Sequence, residues 1–398
     1  MSARRAAGER AAAVTPASTA TNSQSRDAQP ESAQPAGGPT RIVREAPAKL
    51  NLTLAVIRRR ADGYHALHSV MVPLKLSDTV SVAAVGQSQG TGETGGGDSL
   101  SLSGLEVPGS GENLVLQAFV RARAAVAQTW PGAPDVPPVL AAELVKRIPV
   151  AAGLGGGSSD AASAVDAALE AWDATLSMER AMAVAAALGS DVPFFLAGGA
   201  ARISGRGEFV DPLPDLKGRP PAVLLVTPRL EVSTREVFAA FSRGARPVDA
   251  EAAQEVSERL AADMTAGLRG SELIERAAEL ANSNDLMTAT VAVAPTLLPF
   301  RRALARLLAL PVGQSGSGPT CWILYPTLGA ARKAARVVER AVAGGSLPEV
   351  GHGAPFVAAT TILTRRAASA GERGSSSGRR RRHRVPHGDD NVVQHDDN

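Results

Sequence analysis

Cysteine and aromatic residues are scarce in this chain of 398 residues. A single cysteine, Cys321, excludes a disulfide within the chain, and its apolar neighbours (TCWILY) indicate a buried thiol in a strand. Aromatic residues make up 3% of the sequence although hydrophobic residues make up 44%. The core therefore has to be built mainly from Ala, Val and Leu. The length leaves room for two domains of ordinary size.

Long apolar runs are absent as well. No stretch of the sequence is apolar over the length that crosses a membrane. The N-terminus has no hydrophobic segment of the kind found in signal peptides. We therefore expect a soluble, cytoplasmic protein that does not bind a membrane.

The excess of positive charge is concentrated in one short segment and is not spread over the whole chain. The net charge is +3, and five arginines fall within GRRRRHR at 378–384. A nucleic-acid-binding protein should instead carry basic residues across a folded face with aromatic residues between them, so nucleic acid is not an expected partner. Only five of the 42 basic residues are lysines. An ammonium and a guanidinium have different chemistry, so a lysine in this background is mildly informative.

Several common phosphate-binding motifs are missing. No Gly-Lys-Ser/Thr sequence of a Walker A loop occurs, and protein-kinase signatures are absent. A dinucleotide fingerprint is not complete, because Ser158 replaces its third glycine. The sequence does contain a glycine-rich segment at 148–163, IPVAAGLGGGSSDAAS.

This glycine-rich segment leads directly into a predicted helix. Ala161, Val165, Ala168 and Trp172 are spaced as one apolar face of that helix. Glycines allow the backbone to approach a phosphate, and the free N–H groups and dipole of a helix N-terminus favour an anion. The sequence therefore predicts a phosphate-binding loop. The alternative is a flexible turn followed by a helix that Ser or Asp caps.

The chain is predicted to contain two ordered domains between two tails. Residues 1–40 have no periodicity that could bury an apolar face, and residues 366–398 return to low complexity. We expect both tails to be disordered. The proline-rich segment at 211–221 marks the boundary between a first domain at 41–220 and a second at 221–365.

Strands alternate with helices along both domains, which predicts an α+β class. The strand that begins near Arg41 places one set of residues on each side: Leu50, Leu52 and Leu54 against Lys49, Asn51 and Thr53. Further strands are expected at 67–76, 78–85, 139–150, 222–228 and 355–363, with two more around a glycine turn at 311–326. Helices are expected at 114–127, from 161 onward, and at 178–188, 233–242, 249–280, 286–309 and 329–343. A Gly- and Ser-rich surface loop is expected at 86–99.

Four segments together resemble one branch of the GHMP small-molecule kinase superfamily. They are PAKLNLTL at 47–54, ADGYH at 61–65, IPVAAGLGGGSSDAA at 148–162 and LGSDVPFFL at 188–196. The glycine loop is shared by the whole superfamily, whereas PAKLN followed by ADGYH is typical of the kinases that act on 4-diphosphocytidyl-2-C-methyl-D-erythritol. The resemblance covers about residues 41–365.

The resemblance implies a two-domain GHMP kinase fold. Its N-terminal, ATP-binding domain would resemble domain 2 of ribosomal protein S5, and its C-terminal domain would be ferredoxin-like. The implied activity is that of a transferase with an alcohol acceptor, which phosphorylates the 2-hydroxyl of this substrate in non-mevalonate isoprenoid biosynthesis. ATP would be the co-substrate and would bring Mg²⁺, with no metal site of the protein's own. The expected partner is the small-molecule substrate, and the expected assembly is a monomer or a weak dimer.

The resemblance also implies roles for individual residues. Asp191 would take the proton of the attacking hydroxyl, and Lys49 would polarise that hydroxyl and stabilise the transferred group. Asn51 matches a substrate-contacting position. Tyr64 and His65 would recognise cytosine. A second set would bind the substrate base or ATP: Phe238 as a second stacking residue, Asn113 on the adenine side, and around the phosphates Pro149, Val150, Ala151, Ala152, Gly153, Leu154, Gly155, Gly156, Gly157, Ser158 and Ser159.

Each assignment has a structural alternative. Asp191 or Ser190 could be the N-cap of a helix that has Pro193 in its first turn. Lys49 could be a solvated strand residue, and Tyr64 and His65 could belong to an ordinary surface hairpin. The competing functions are another GHMP kinase, acting on homoserine or mevalonate, and a catalytically inactive regulatory homologue.

Overall fold

The computed structural model describes residues 40–85, 97–107, 113–129, 137–244 and 251–365. The predicted disordered tails lie outside the described residues, apart from residue 40, and so does most of the loop predicted at 86–99. Helices and strands both make up large parts of the described chain, which confirms the α+β class.

Seven strands form the first sheet around one long central strand. They are β1 (Arg41–Asn51), β2 (Ala55–Arg59), β3 (His65–Ala84), β4 (Ser99–Gly104), β5 (Leu140–Lys146), β6 (Ala201–Gly205) and β7 (Phe209–Pro212). The order is β4-β5-β3-β6-β7, and β1 and β2 also pair with β3. All pairs are antiparallel except β4 with β5, which is parallel.

Strand β3 runs without interruption through a position where the pattern predicts a break between two strands. Asp78, the residue that follows the predicted break, is fully buried. Its carboxylate accepts a hydrogen bond from the backbone N–H of Ile148 at 2.8 Å and forms an ion pair with Lys146. The polar residue is therefore satisfied by partners distant in sequence and does not mark a turn. Strands β6 and β7, which form a hairpin, were not predicted, because their sequence is short and rich in glycine.

Four helices pack against this sheet: α1 (Leu114–Thr129), α2 (Gly156–Ala171), α3 (Met178–Leu188) and α4 (Val192–Ala197). The predicted apolar face of α2 is confirmed. Ala161, Val165 and Ala168 are buried in one core with Phe119 of α1, and Trp172 lies just beyond the helix in the same core. Small alanine side chains allow α2 to approach the sheet and its neighbours closely.

Four antiparallel strands form the second sheet, in the order β11-β8-β10-β9. They are β8 (Ala222–Thr227), β9 (Gly313–Gln314), β10 (Cys321–Tyr325) and β11 (Phe356–Thr361). The helices of this part are α5 (Thr234–Ser242), α6 (Ala252–Ala266), α7 (Gly270–Glu275), α8 (Ala277–Ala281), α9 (Leu286–Val293), α10 (Leu297–Leu308) and α11 (Leu328–Ala343). Cys321 is buried in a strand, as its neighbours predicted.

Two predicted long helices are divided into shorter ones. The segment predicted as one helix at 249–280 contains α6, α7 and α8. Gly267 ends α6 in a left-handed conformation with a φ of 99°. The segment predicted at 286–309 contains α9 and α10, with Pro295 between them, where proline cannot continue a helix.

Strand β8 is buried on both faces. Leu224 belongs to a core with Phe300 of α10, whereas Leu225 belongs to a core with Leu50 of β1 and Leu154 of the glycine-rich loop. The core that contains Leu225 therefore joins the glycine-rich loop to both sheets. Residues 213–221 connect β7 to β8, and the domain boundary predicted at 220/221 stays a prediction. None of the helices in the described segments has the length and apolar character needed to cross a bilayer.

Candidate active site

Lys49 and Asn51 lie near the end of β1 and are buried, with 4% and 2% of their surfaces exposed. The polar side of this strand therefore faces the interior, which argues against a solvated strand lysine. The Lys49 ammonium donates to Asn51 Oδ1 at 2.6 Å, and Asn51 Nδ2 donates to Ser69 Oγ at 2.9 Å. A buried cation needs such partners, and here they hold its position.

Asp191 faces the same ammonium from the start of α4. The distance from Lys49 Nζ to Asp191 Oδ2 is 3.4 Å, and the Asp191 side chain is 29% exposed. Asp191 occupies the N-cap position of α4, with Pro193 in the first turn, but its side chain makes no capping hydrogen bond. The carboxylate is thus directed toward Lys49 and the adjacent cavity instead of serving as a cap.

The glycine-rich loop meets these two residues from the other side. Helix α2 begins at Gly156, five residues before the predicted start at 161, and its N-cap Gly155 makes no side-chain capping bond. The first N–H groups of α2 therefore have no capping side chain to accept their hydrogen bonds, which suits an anion. Gly155 has a φ of 69°, and a Cβ there would lie 2.9 Å from Lys49 Cγ. Only glycine fits at this position.

A second glycine-containing segment, Gln314–Thr320, supports the loop. Ser315 Oγ donates to the carbonyl of Gly153 at 2.9 Å, and Thr320 Oγ1 donates to the carbonyl of Ala152 at 2.6 Å. A Cβ at Gly153 would lie 2.2 Å from the Ser315 carbonyl oxygen. Sequence reasoning treated this segment as a turn between strands; its clustered glycines and hydroxyls (QSGSGPT) were the available signal.

Asn284 in turn holds the second segment. Its Nδ2 donates to the carbonyls of Gln314 at 3.1 Å and Gly316 at 2.9 Å. Asn284 lies in the turn before α9 and was not predicted as a site residue. The two loops are therefore fixed by side chains of the second segment itself and of Asn284.

A buried group of charges lies beneath the first turn of α2. The Lys146 ammonium pairs with Asp78 and, at 2.7 Å, with Asp160 Oδ2. Asp160 Oδ1 has no hydrogen-bond partner among the described residues. Burial raises the pKa of Asp160 to about 7, although the Lys146 charge opposes this shift. Lysine scarcity was the one sequence signal that could have drawn attention to Lys146.

His65 lies at the opposite end of the site and is held on several sides. Its ring stacks on Phe238 of α5 at a centroid distance of 5.2 Å and meets the edge of Phe241 at 5.9 Å. Its Nε2 lies 3.1 Å from Ser242 Oγ. The structure thus places Phe238, whose sequence match is weak, in direct contact with His65.

Tyr64 is 56% exposed and sits beside His65 at the start of β3. Its backbone N–H donates to Asp62 Oδ1 at 3.1 Å, which forms the turn of the ADGYH segment. The Arg206 guanidinium lies over the Tyr64 ring at 5.3 Å from the centroid. Arg206 was not predicted as a site residue.

Asn113 precedes α1 and caps it. Its Oδ1 accepts a hydrogen bond from the backbone N–H of Val115 at 2.9 Å. The residue also lies on the wall of the cavity described next, so that the capping role and a ligand contact are compatible. Its predicted place on the adenine side stays a prediction.

One cavity of about 1060 Å³ connects these groups. Most of the predicted site residues line it: Lys49, Asn51, Tyr64, His65, Asn113, Pro149, Val150, Ala151, Ala152, Gly153, Gly155, Gly156, Gly157, Ser158, Asp191 and Phe238. Leu154 and Ser159 are instead buried behind the loop, where Leu154 packs in the core. Residues that were not predicted also line the cavity, among them Lys146, Asp160, Arg206, Thr234, Gly316 and Ser317.

The described residues contain no group of three or more His, Cys, Asp or Glu side chains placed to hold a metal ion. Mg²⁺ prefers several water ligands and substrate phosphates to an all-protein cage.

The chain is similar to known proteins in sequence. Residues 113–199 match the family described as GHMP kinases N terminal domain. A 4-diphosphocytidyl-2-C-methyl-D-erythritol kinase of Pelotomaculum thermopropionicum is 37% identical over 293 residues, which is 73% of this chain and 91% of that protein.

The chain is also similar to solved structures. A crystal structure of 4-(cytidine 5'-diphospho)-2C-methyl-D-erythritol kinase matches with a TM-score of 0.56 and 30% identity, over 81% of this chain and 100% of that chain. A homoserine kinase from Cytophaga hutchinsonii has a TM-score of 0.55 but 17% identity, over 81% and 95% of the two chains. That second likeness concerns the fold alone. Together the matches confirm the predicted GHMP kinase fold.

Proposed function

The chain belongs to the family of 4-diphosphocytidyl-2-C-methyl-D-erythritol kinases, and from this premise we propose how its residues carry out the reaction. The enzyme transfers the γ-phosphoryl group of ATP to the 2-hydroxyl of this substrate. The observation that carries the residue assignments is a single cavity that holds the Lys49–Asp191 pair and the glycine loop together with the His65–Phe238 pair.

Asp191 is the general base. Its carboxylate faces the cavity and makes no capping bond, so it can accept the proton of the attacking hydroxyl. Lys49 lies 3.4 Å away and is fixed by Asn51. Its charge orients the same hydroxyl and stabilises the negative charge on the transferred phosphoryl group. Asn51 reaches the substrate from the cavity wall and also holds Lys49.

The glycine loop binds the phosphates of ATP. Its backbone N–H groups and the N-terminus of α2 supply hydrogen bonds and positive potential without a side-chain cation. Ser315 and Thr320 hold the carbonyls of the loop on its other side, so the N–H groups are positioned before ATP arrives. Asn113 lies near the adenine.

ATP would bring Mg²⁺, which would neutralise part of the charge on the phosphates. Ser158, on the cavity wall at the first turn of α2, is the hydroxyl placed to reach such an ion.

The cytosine is bound at the other end of the cavity by Tyr64, His65 and Phe238. Aromatic rings offer a stacking surface, and the imidazole can meet the donor and acceptor edge of the base. Phe238, Phe241 and Ser242 hold His65 in one orientation, which limits the entropy lost on binding.

We also propose that the enzyme works in the cytoplasm, where ATP is available, as a monomer or a weak dimer. All residues to which we assign a role line one cavity or support its walls.

An ADP-release assay tests the function. The full chain should release ADP with 4-diphosphocytidyl-2-C-methyl-D-erythritol and not with mevalonate or homoserine at equal concentrations. Phosphorus NMR of the product should show a new phosphomonoester on the substrate. ADP release with homoserine or mevalonate alone would instead place the chain among the other small-molecule kinases.

A further inference from the structure

Arg206 lies at the tip of the hairpin between β6 and β7, on the wall of the cavity. On one side its guanidinium covers the Tyr64 ring, 5.3 Å from the centroid. When a guanidinium stacks on an aromatic face, its N–H groups point away from the group in the guanidinium plane and not into the ring. Those donors remain able to bind an anion beside the ring.

The other side of the hairpin tip faces the phosphoryl-transfer groups. A Cβ at Gly207 would lie 2.9 Å from the backbone oxygen of Ser190. The tip therefore packs against the residue that precedes Asp191. The hairpin tip thus contacts Tyr64, at the base-binding end, through Arg206, and Ser190, next to the transfer end, through Gly207.

The two lysines that line the cavity already have carboxylate partners, and Arg59 and Arg235 are its other cavity-lining arginines. Lys49 pairs with Asp191, and Lys146 pairs with Asp78 and Asp160. The carboxylate nearest to Arg206 belongs to Glu208, with Nε and Oε1 separated by 3.9 Å.

Glu208 neutralises Arg206 only weakly. The same Oε1 lies 3.5 Å from Arg60 Nη1, and the other oxygen of Glu208 accepts a hydrogen bond from the backbone N–H of Arg206. Glu208 thus divides its charge between two arginines while it shapes the turn. Arg206 keeps most of its positive charge for a ligand in the cavity.

We propose that Arg206 binds the diphosphate of the substrate. This inference rests on the proposed function, in which the diphosphate links a cytidine at Tyr64 and His65 to an alcohol at Asp191. The linking group must then cross the stretch of cavity that Arg206 faces. A guanidinium fork matches two phosphate oxygens, so Arg206 would fix the distance between the two ends of the substrate.

Calorimetric titration of the full chain with cytidine 5'-diphosphate and with cytidine tests this role. The wild type should bind the diphosphate more tightly than the nucleoside. Arg206→Ala should lower the affinity for cytidine 5'-diphosphate about tenfold or more, the usual effect of losing a hydrogen bond to a charged group. It should change the affinity for cytidine by less than about twofold. Arg206→Lys should be intermediate, since a lysine keeps the charge but not the fork.

Arg202→Ala is the matched control. Arg202 lies on β6 of the same hairpin and pairs with Asp211 on the surface, so this variant should bind both ligands like the wild type. Equal losses for cytidine and its diphosphate in Arg206→Ala would overturn the inference and leave Arg206 as a support for Tyr64. An unchanged affinity for the diphosphate would overturn it too. A wild type that binds neither ligand would contradict the cytidine site itself and, with it, the proposed function.

Discussion

The Lys49 ammonium and the Asp191 carboxylate lie 3.4 Å apart, although 142 positions separate them in the chain. Lys49 is fixed by Asn51 and by the close approach of Gly155. Asp191 is the more exposed partner and faces the cavity. This pair is the chemical centre of the proposed mechanism, and the first two predictions concern it.

Asp191→Asn should lower kcat by about 10²–10⁴, the usual contribution of a general base. The amide keeps the size of the side chain and cannot accept the proton. ATP affinity, measured by titration calorimetry, should stay within about twofold, since the phosphate loop is untouched. Asp211→Asn, on the exposed surface of β7, is the matched control and should keep full activity. Near wild-type turnover of Asp191→Asn would require a different base.

Lys49→Arg should lose most of its activity although the charge is kept. The buried ammonium donates to Asn51 and the stem of Lys49 passes close to Gly155, and a planar guanidinium is broader than an ammonium. Steady-state kinetics should show kcat lowered by at least about tenfold, because a contact to the transferred group is lost. Full activity of Lys49→Arg would mean that positive charge alone is needed there.

The roles of Lys49 and Asp191 could be predicted from the sequence only through resemblance. The PAKLN and SDVPFF segments placed Lys49 and Asp191 in their roles by resemblance, and the structure brings them together. Pattern alone could not do so, because periodicity describes local structure and says nothing about which distant segments meet. By pattern alone, Asp191 was a helix cap and Lys49 a solvated strand residue.

The missed features have the same physical cause. The pattern predicts a break between strands just before Asp78, because the partners of this buried carboxylate, Lys146 and Ile148, lie about 70 residues further on. Arg206 lies in a short glycine-rich hairpin where the alternation of a strand is hard to detect. By contrast, α2 and β8 were predicted well, since an apolar face or an apolar run is a local property.

Gly155→Ala should destabilise the fold and weaken ATP binding. A left-handed conformation costs a residue with a Cβ about 1–2 kcal/mol, and the added methyl would also press on Lys49 and Phe195. Thermal unfolding should show a lower Tm, and kinetics a higher KM for ATP. For Gly157→Ala, the added Cβ would meet Leu114 at an ordinary 3.6 Å, so its Tm should not fall. Equal Tm values for both variants would contradict the assigned loop geometry.

Asp160 should make stability depend on pH in a defined direction. Its pKa is about 7 in the folded chain because of burial, above the value of about 3.9 expected when unfolded. Between these values the folded state binds the extra proton, so this group's contribution to stability falls as the pH rises through 7. Asp160→Asn removes that titration.

Urea unfolding of the wild type and Asp160→Asn between pH 5.5 and 8 measures this effect. The free energy of unfolding of the wild type, relative to the variant, should decrease toward pH 8. Other titrating groups are common to both proteins and cancel in the difference. A difference that is constant, or that grows with pH, would show that the Lys146 charge keeps Asp160 ionised throughout.

The base-binding end should discriminate between cytosine and uracil, although the reacting hydroxyl is distant. Cytosine has a donor and an acceptor where uracil has an acceptor and a donor, so a site fitted to one leaves buried groups of the other unpaired. His65→Ala should reduce the discrimination, because the imidazole meets that edge. Tyr64→Ala should weaken the binding of both substrates alike, because the stacking surface for the base is lost.

The most direct test of the account compares kcat/KM of the wild-type chain for the cytidine substrate and for its uridine analogue. In the proposed mechanism, one cavity binds the base at Tyr64, His65 and Phe238, and the alcohol is phosphorylated in the same cavity at Lys49 and Asp191. It predicts a value at least about tenfold lower for the uridine analogue, at about 1.4 kcal/mol per decade. Equal efficiency with the two substrates would contradict it, because the base end would then take no part in substrate recognition.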